Sequence, residues 1–331
     1  MSLSIVIASV IVVSMVIYVA SGGADFGSGI WDLFAWGPRV DRQRDALWEA
    51  IAPIWEANHV WLIIALVLMF VAYPAAFSAI LTALHIPVSL MLIGIVLRGS
   101  SFAFRSYSAG ATLVERRSAT VFAVSSVATP VMLGVTAGAI ASGNITVDAT
   151  GVVQTDFVSA WLAPFPFAIG MFTLSLCAFL SAVYMTVELN DDEPLQEDFR
   201  RRGLWAAVAV GVTAFLSLFL ASEGAPTIWQ GLSKSPWAIP FHVATGLSAV
   251  GGILALWLRR FRRARALAIV QTALIIIGWG LAQYPYIVPP DLTLQNTAAP
   301  DSVLWPVTVA LGVGSVVLVP SFWYLYRVFK S

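Results

Sequence analysis

Nine long apolar runs leave this chain little choice of fold. Each run has about the twenty residues that an α-helix needs to cross a bilayer core of about 30 Å, and 59% of the 331 residues are hydrophobic. A backbone inside lipid must satisfy its own hydrogen bonds, so runs of this length are expected to be helical. They lie near residues 3–22, 53–84, 86–106, 119–141, 158–187, 203–222, 239–258, 265–284 and 303–327. The sequence therefore predicts an all-α polytopic membrane protein with nine transmembrane helices.

Lysine and arginine are distributed very unevenly between the loops. If the nine runs alternate across the membrane, 17 of the 18 Lys and Arg residues fall on one side, and Lys234 alone falls on the other. Basic loops stay in the cytoplasm. We therefore predict that the N-terminus is outside and the C-terminus is cytoplasmic. No basic block is large enough to suggest a nucleic-acid partner.

The second run opens with the most polar stretch at the edge of any run, Pro53–Trp61. No loop is forced between Pro53 and Leu84, so one helix of about 48 Å is possible. Because a bilayer core needs only about 30 Å, its first turns must lie at the interface. Trp55 and Trp61 then fit an interfacial aromatic belt.

Two ionisable residues lie within that stretch. Glu56 and His59 are three residues apart, which places them on one helical face at the predicted cytoplasmic edge. Ionisable groups in such a position are costly, and this makes them functional candidates. The alternative is an interfacial cap that simply faces water.

The end of the first run carries an acid among small residues. Asp25 lies within Ser21–Gly29, a stretch with four glycines, and Asp32 follows two turns later. The glycines permit close helix packing or a break in the backbone. A phosphate-binding loop is excluded because neither a preceding strand nor a Gly-Lys-Ser/Thr element is present. Packing glycines with a capping aspartate are the simpler interpretation.

Arg98 and Arg105 are seven residues apart and therefore share one face of the third helix. Because intramembrane charges usually have partners, they can pair with Asp25 or Glu56. The alternative is that both extend to lipid headgroups, which explains Arg105 more easily than Arg98.

The residues suited to metal binding are few. The chain has one cysteine, Cys177, and three histidines, His59, His85 and His242. A disulfide framework and a cysteine-based metal site are therefore excluded. Two histidines on the outer side can in principle ligate a haem, but no other feature marks a haem site. We expect no metal or haem bound by this chain.

Several motifs together resemble subunit II of the cytochrome bd-type quinol oxidases, including the cyanide-insensitive branch. They are spread along the whole chain: Gly23–Gly27, Ile51–Leu62, Leu97–Gly99 with Phe102–Arg105, Gly278–Tyr286, Pro320 and Tyr324–Phe329. The Trp-acid-x-Asn-x-Val-Trp and Gly-Trp-Gly-x-x-Gln-Tyr-Pro elements are specific in combination.

The resemblance implies an architecture and a set of partners. The fold would be two four-helix bundles, residues 1–145 and 155–290, with a peripheral helix at 300–331. The partner would be a subunit I that carries haems b and d and the quinol site, often with a small single-helix accessory subunit. The complex would lie in the bacterial cytoplasmic membrane, oxidise quinol and reduce oxygen to water. Subunit II itself would bind no haem and would not be catalytic alone, although some members hold a quinone or a lipid.

The resemblance also assigns roles to individual residues. Glu56 matches the family's proposed proton-uptake carboxylate, Asp25 matches the acid of its first-helix motif, and Arg98 falls in its Leu-Arg-Gly element. Family members often have Gly where Ala57 stands and Glu where His59 stands, so an imidazole would replace a second acid. A histidine can relay protons near neutral pH.

A secondary transporter and a purely structural scaffold are the alternative functions for such a chain. A secondary transporter would need charges near the bilayer midplane and broken helices in matching positions of two repeats. Here most charges lie at the predicted cytoplasmic edge, which argues against it. A purely structural scaffold subunit stays open, because Glu56 and Asp25 can fix helix positions without carrying protons.

Overall fold

The computed structural model describes residues 2–51, 54–107, 112–148 and 151–329, with the backbone alone at 51, 105–107 and 112–116. The described residues form twelve helices and two short antiparallel hairpins. The helices are α1 Leu3–Leu33, α2 Val40–Ile51, α3 Trp55–Ala72, α4 Pro74–Ala83, α5 His85–Tyr107, α6 Thr112–Ala141, α7 Pro164–Glu188, α8 Glu193–Gly224, α9 Pro226–Lys234, α10 Ala238–Trp257, α11 Phe261–Gln283 and α12 Asp301–Phe329. The hairpins pair β1 Thr146–Val147 with β2 Val153–Gln154, and β3 Tyr286–Val288 with β4 Leu292–Thr293.

Nine helices in the described part of the chain are long and apolar enough to cross a membrane. This confirms the number of spans expected from the sequence. The hydropathy pattern missed two shorter helices, α2 and α9. Both are amphipathic and too short to span, so a search for long apolar runs passes over them.

The first helix continues eleven residues beyond its expected end, to Leu33. The glycines permit close packing and do not break the helix. A Cβ on Gly27 would lie 2.0 Å from the carbonyl oxygen of Cys177, and one on Gly29 would lie 2.2 Å from the hydroxyl of Ser126. The small residues therefore let α1 approach α6 and α7 closely.

The prediction that one helix is possible from Pro53 to Leu84 is wrong for the described residues, 54–84. The chain leaves helical geometry at Tyr73, where φ is −136° and ψ is 57°, and α4 begins at Pro74. Proline lacks the N–H that would continue the hydrogen-bond ladder, and its ring disfavours helical angles in the preceding residue. Ala52 and Pro53 lie outside the described residues.

Helices α1 and α7 lie at the centre of the packing. They contact each other, α1 also contacts α3, α6 and α11, and α7 also contacts α6, α8 and α11. Polar bonds reinforce this pair: the indole of Trp31 donates to the carbonyl of Ala178 at 2.8 Å, and the phenol of Tyr184 donates to that of Ala20 at 2.7 Å. The division into bundles at 1–145 and 155–290 stays a prediction.

Helix α12 lies against α1 and α3, and most of its side chains are exposed. Leu304 is its one buried residue among those described. The assignment of residues 300–331 as a peripheral helix beside two bundles stays a prediction.

The amphipathic helix α2 is fastened to the charged start of α8. Asp198 accepts hydrogen bonds from Nε of Arg39 and Nε2 of Gln43, both at 2.9 Å. Arg202, buried beside them, donates to Oε1 of Gln43 at 2.6 Å. The hydrogen-bonded carboxylate of Asp198 raises the pKa of the Arg39 guanidinium.

Candidate functional site

The site is centred on a buried acid and a buried arginine. Asp25 on α1 is 5% exposed, and Arg98 on α5 is 2% exposed. Arg98 donates from Nη2 to the backbone carbonyl of Asp25 at 2.9 Å and from Nε to the hydroxyl of Ser126 at 3.2 Å. Of the two acids considered as partners for Arg98, the structure thus places it beside Asp25.

Aromatic rings enclose the rest of the Arg98 guanidinium. Its central carbon lies 4.9 Å from the ring centre of Phe26 and 5.1 Å from that of Phe122. Cation–π attraction of this kind reaches about 2 kcal/mol when the charge is removed from water. Hydrogen bonds and ring faces together replace the hydration that burial removes.

A chain of hydrogen bonds connects Asp25 to the peripheral helix. The amide nitrogen of Asn58, on α3, donates to Oδ2 of Asp25 at 2.7 Å. The phenol of Tyr326, on α12, donates to the amide oxygen of Asn58 at 2.6 Å. Since Asn58 is 0% exposed, its amide has been withdrawn from water and depends on these two partners. Helices α1, α3 and α12 are therefore linked by side-chain hydrogen bonds, with Asn58 between Asp25 and Tyr326.

Glu56 and His59 occupy different environments, although they are three residues apart. Glu56 lies in the first turn of α3 and is exposed. The ring of His59 faces inward, with its centre 5.8 Å from that of Tyr18 and 6.0 Å from that of Phe26. Its Nδ1 lies 3.0 Å from the carbonyl of Trp55, while its buried Nε2 has no hydrogen-bond partner among the described residues.

The remaining predicted residues surround this site. Trp55 packs against Phe102, with 5.4 Å between ring centres, and Trp61 packs against Phe322 of α12 at 5.1 Å. Both tryptophans are half-buried, so they hold helices together as well as lying near an interface. The side chain of Arg105 lies outside the described part of the chain.

The two other histidines lie apart from the site. His85 contacts the carbonyl of Thr82 and the ring of Phe157, and His242 contacts the carbonyl of Ala238. In the part of the chain that the structure describes, no three His, Cys, Asp or Glu side chains are grouped in a way that could hold a metal ion.

A polar cavity of about 480 Å³ opens beside Asp25. Helices α1, α2, α3, α7, α11 and α12 contribute to its wall, and about half of the lining residues are apolar. Its polar lining consists of Ser21, Asp25, Ser28, Asn58, Ser181, Tyr184, Glu188, Arg265 and Tyr326. At about 30 Å³ for each water in the liquid, it has room for on the order of ten molecules.

A second, apolar cavity of about 390 Å³ lies between α7, α8, α10 and α11. Aliphatic and aromatic side chains form most of its wall. Ser217 and Gln271 add polar groups, and the buried hydroxyl of Ser217 has no hydrogen-bond partner among the described residues. Such a mixture suits an amphiphilic molecule.

Comparison with known proteins places the chain in a family. The family described as cytochrome bd terminal oxidase subunit II matches residues 3–329. The chain belongs to this family. Its fold matches a chain of the bd oxidase from Geobacillus thermodenitrificans with a TM-score of 0.83 and 22% identity, over 100% of this chain and 99% of that one.

Two relatives align with nearly the whole chain. The putative cytochrome bd menaquinol oxidase subunit II of Bacillus subtilis is 20% identical, over 95% of this chain and 91% of its own. Subunit 2 of the cytochrome bd-I ubiquinol oxidase of Escherichia coli K12 is 23% identical, over 94% of this chain and 90% of its own. This cytochrome bd subunit II is therefore a multi-pass membrane component of a bacterial terminal oxidase. The comparisons support neither the transporter nor the scaffold alternative.

Sequence reasoning about this subunit II missed two residues of the site. Asn58 and Tyr326 both lie inside motifs that carry the resemblance, but the search for chemistry considered ionisable groups and passed over an amide and a phenol. Their signal was the recurrence of a polar residue on the inner face of an otherwise apolar helix. Only the fold brings α12 against α3 and joins the two residues to Asp25.

Proposed function

We propose that this subunit II stabilises a haem-bearing subunit I and delivers cytoplasmic protons to it through Asp25. The complex would oxidise quinol and reduce oxygen to water, with haems b and d and the redox chemistry in subunit I. This chain would bind no haem and would not be catalytic alone. A small single-helix subunit and membrane lipids would complete its surroundings.

The observation that carries the proposal is a buried carboxylate that borders a cavity with room for water. Hydrocarbon excludes protons unless ionisable groups or waters provide a path. Asp25 can take up and release a proton, and Asn58 and Tyr326 hold its carboxylate in place. Glu56 would gather protons at the exposed start of α3, and His59 would take the place of a second acid.

Substituting Asp25 by asparagine tests the proposal. Asn keeps an oxygen that accepts from Asn58 but cannot carry a proton. Quinol-driven oxygen uptake per haem in the purified complex should fall tenfold or more, about 1.4 kcal/mol of barrier, with haem content and subunit association unchanged. Asp191→Asn, in the loop before α8, is the matched control and should behave like the wild type. Full turnover in Asp25→Asn would refute delivery through Asp25, and failure to assemble would assign it a structural role.

We propose in addition that the apolar cavity holds a quinone or a lipid tail. Its size and apolar wall suit an isoprenoid or acyl chain, and Ser217 and Gln271 can bond a polar head. Gly246 lines this cavity, and a Cβ there would meet no atom within 4 Å, so Gly246→Leu places a side chain at the cavity wall without a clash at its Cβ. The purified variant should retain less quinone or lipid per haem than the wild type. Gly312→Leu, equally open on α12, is the control. Equal retention in the two variants would contradict the proposal.

A further inference from the structure

The polar cavity reaches the predicted cytoplasmic edge at a charged pair that the function above does not use. Glu188 ends α7, Arg265 lies in the second turn of α11, and Nη1 of Arg265 is 3.9 Å from Oε1 of Glu188. The two side chains are 27% and 36% exposed, and both line the cavity. They therefore contact the solvent at that edge and the interior space at the same time.

Glu56 does not have this connection. It is exposed at the start of α3, but it is absent from the cavity wall, where Ile54 and Asn58 represent that part of the chain. A proton collected at Glu56 must therefore pass other side chains before it reaches the water space next to Asp25. A proton collected at Glu188 enters that space directly.

The wall between Glu188 and Asp25 carries hydroxyl groups on two helices, among apolar side chains. Helix α7 contributes Ser181 and Tyr184, and α1 contributes Ser21 and Ser28. Hydroxyl groups of this kind are partners for ordered water, and each water needs two to four of them. The hydroxyls of Ser21 and Tyr184 donate to backbone carbonyls, so their oxygens remain as hydrogen-bond acceptors for waters that would connect the charged pair with the acid.

From this arrangement we infer that Glu188, positioned by Arg265, is a second cytoplasmic proton entrance that leads through the polar cavity to Asp25. The inference rests on proton delivery through Asp25 as proposed above. The Glu188 carboxylate accepts a proton from cytoplasmic water and becomes a carboxylic acid. It then releases the proton to the waters of the cavity, which pass one on to the Asp25 carboxylate. Arg265 keeps its charge throughout and holds the Glu188 side chain at the mouth of the cavity.

The first test combines substitutions at the two entrances. Because either entrance can supply protons when the other is lost, Glu188→Gln alone should lower oxygen uptake per haem about twofold, and Glu56→Gln with Glu188→Gln should lower it tenfold or more. Glu188→Asp should restore part of the loss. Glu193→Gln is the matched control, because Glu193 is also a glutamate beside an arginine, Arg259 at 3.1 Å, but does not line the cavity.

The outcomes separate this inference from the function on which it rests. One outcome is that Asp25→Asn abolishes turnover while Glu188→Gln lowers oxygen uptake no more than the control Glu193→Gln does, both in the wild type and in the Glu56→Gln background. In that case delivery through Asp25 stands and the second entrance is wrong. If Asp25→Asn leaves turnover intact, the common route itself is wrong.

The second test measures water access without changing a charge. The native cysteine, Cys177, is 2% exposed, so an introduced cysteine can be labelled selectively. In the whole complex, Ser21→Cys should react with a small charged thiol reagent added from the cytoplasmic side, and should react much more slowly from the other side. Ser14→Cys, buried on the same helix and outside the cavity wall, should stay unlabelled. An unreactive Ser21→Cys would show that the cavity is closed in the complex and would overturn the inference.

Discussion

Arg98 shows how a permanent charge is held inside a membrane helix bundle. The cost of burying a guanidinium falls when its donors find acceptors and its faces find aromatic rings. Arg98 has two hydrogen-bond acceptors, in Asp25 and Ser126, and lies over Phe26 and Phe122. Lysine could not reproduce this arrangement, because its point charge lacks the planar fork that bonds in two directions. The arginine therefore fixes the position of the acid that the proposed route uses.

The role of Glu56 is tested by a substitution that keeps the size of the side chain and removes its ability to take up and release a proton. Glu56→Gln should lower quinol-driven oxygen uptake per haem about twofold while Glu188 is intact, and Glu56→Asp should keep more of the activity than Glu56→Gln. Haem content should stay at the wild-type level, because an exposed side chain contributes little to packing. Turnover equal to the wild type would remove Glu56 from the route.

His59 provides the contrasting case. Its ring is packed against Tyr18 and Phe26, so His59→Ala removes a contact as well as an imidazole. We expect lower turnover in His59→Ala and partial recovery in His59→Glu, which supplies a carboxylate in place of the imidazole. Recovery of assembly without recovery of turnover would assign the ring to packing.

The identities of the site residues were within reach of the sequence, but their environments were not. Asp25, Glu56, His59 and Arg98 stand out because charges are rare in apolar runs. That Glu56 is exposed while Asp25 is buried depends on which helix faces meet, and periodicity alone does not determine this. Asn58 becomes a site residue only when α12 brings Tyr326 to it.

At the scale of the helices, the contact between α1 and α7 depends on the absence of a single methyl group. Gly27 lies where any Cβ would overlap the backbone of Cys177, and a backbone carbonyl cannot move aside as a flexible side chain can. The α1–α7 spacing also sets the position of Asp25, two residues earlier, and of the Ser28–Ser181 hydrogen bond at 3.0 Å.

Gly27→Ala should therefore destabilise the complex by about 1–3 kcal/mol through overpacking, visible as a lower melting temperature of the purified oxidase. Gly211→Ala is the control, because a Cβ there meets no atom within 4 Å and alanine is the better helix former. If both variants melt at the wild-type temperature, the close approach of α1 and α7 does not limit stability.

The sequence predicted the number of membrane-spanning helices better than it predicted their lengths. Hydropathy located nine spans, but it ended α1 at residue 22 because glycine and polar residues lower the average there. Packing determines the real end, since close contacts with α6 and α7 stabilise a segment with low intrinsic helix propensity. The break at Tyr73, in contrast, was readable from Pro74 and the rule for residues before proline.

At the scale of the whole molecule, orientation determines which end of the polar cavity faces the proton source. Glu188, Arg265 and the start of α3 lie on the side that the basic loops predict to be cytoplasmic. Reduction of oxygen consumes protons, and uptake from the cytoplasm moves charge in the direction that contributes to a proton-motive force. If the chain were inserted the other way, the same residues would take protons from outside, and this uptake would not contribute to a proton-motive force.

Topology can be tested at positions that the structure places between helices. Because 17 of the 18 basic residues fall on one predicted side, reporter fusions after Gly37, Asp191 and Leu258 should report cytoplasm. Fusions after Gly143 and Ser235 should report the outside. All five positions lie outside the regular helices, so insertion there disturbs the fold least. An outside signal at Gly37 with a cytoplasmic one at Gly143 would invert the first four spans and place the cavity mouth away from the proton source. The same inversion would exclude both Glu56 and Glu188 as cytoplasmic entrances, whatever their substitution did to turnover.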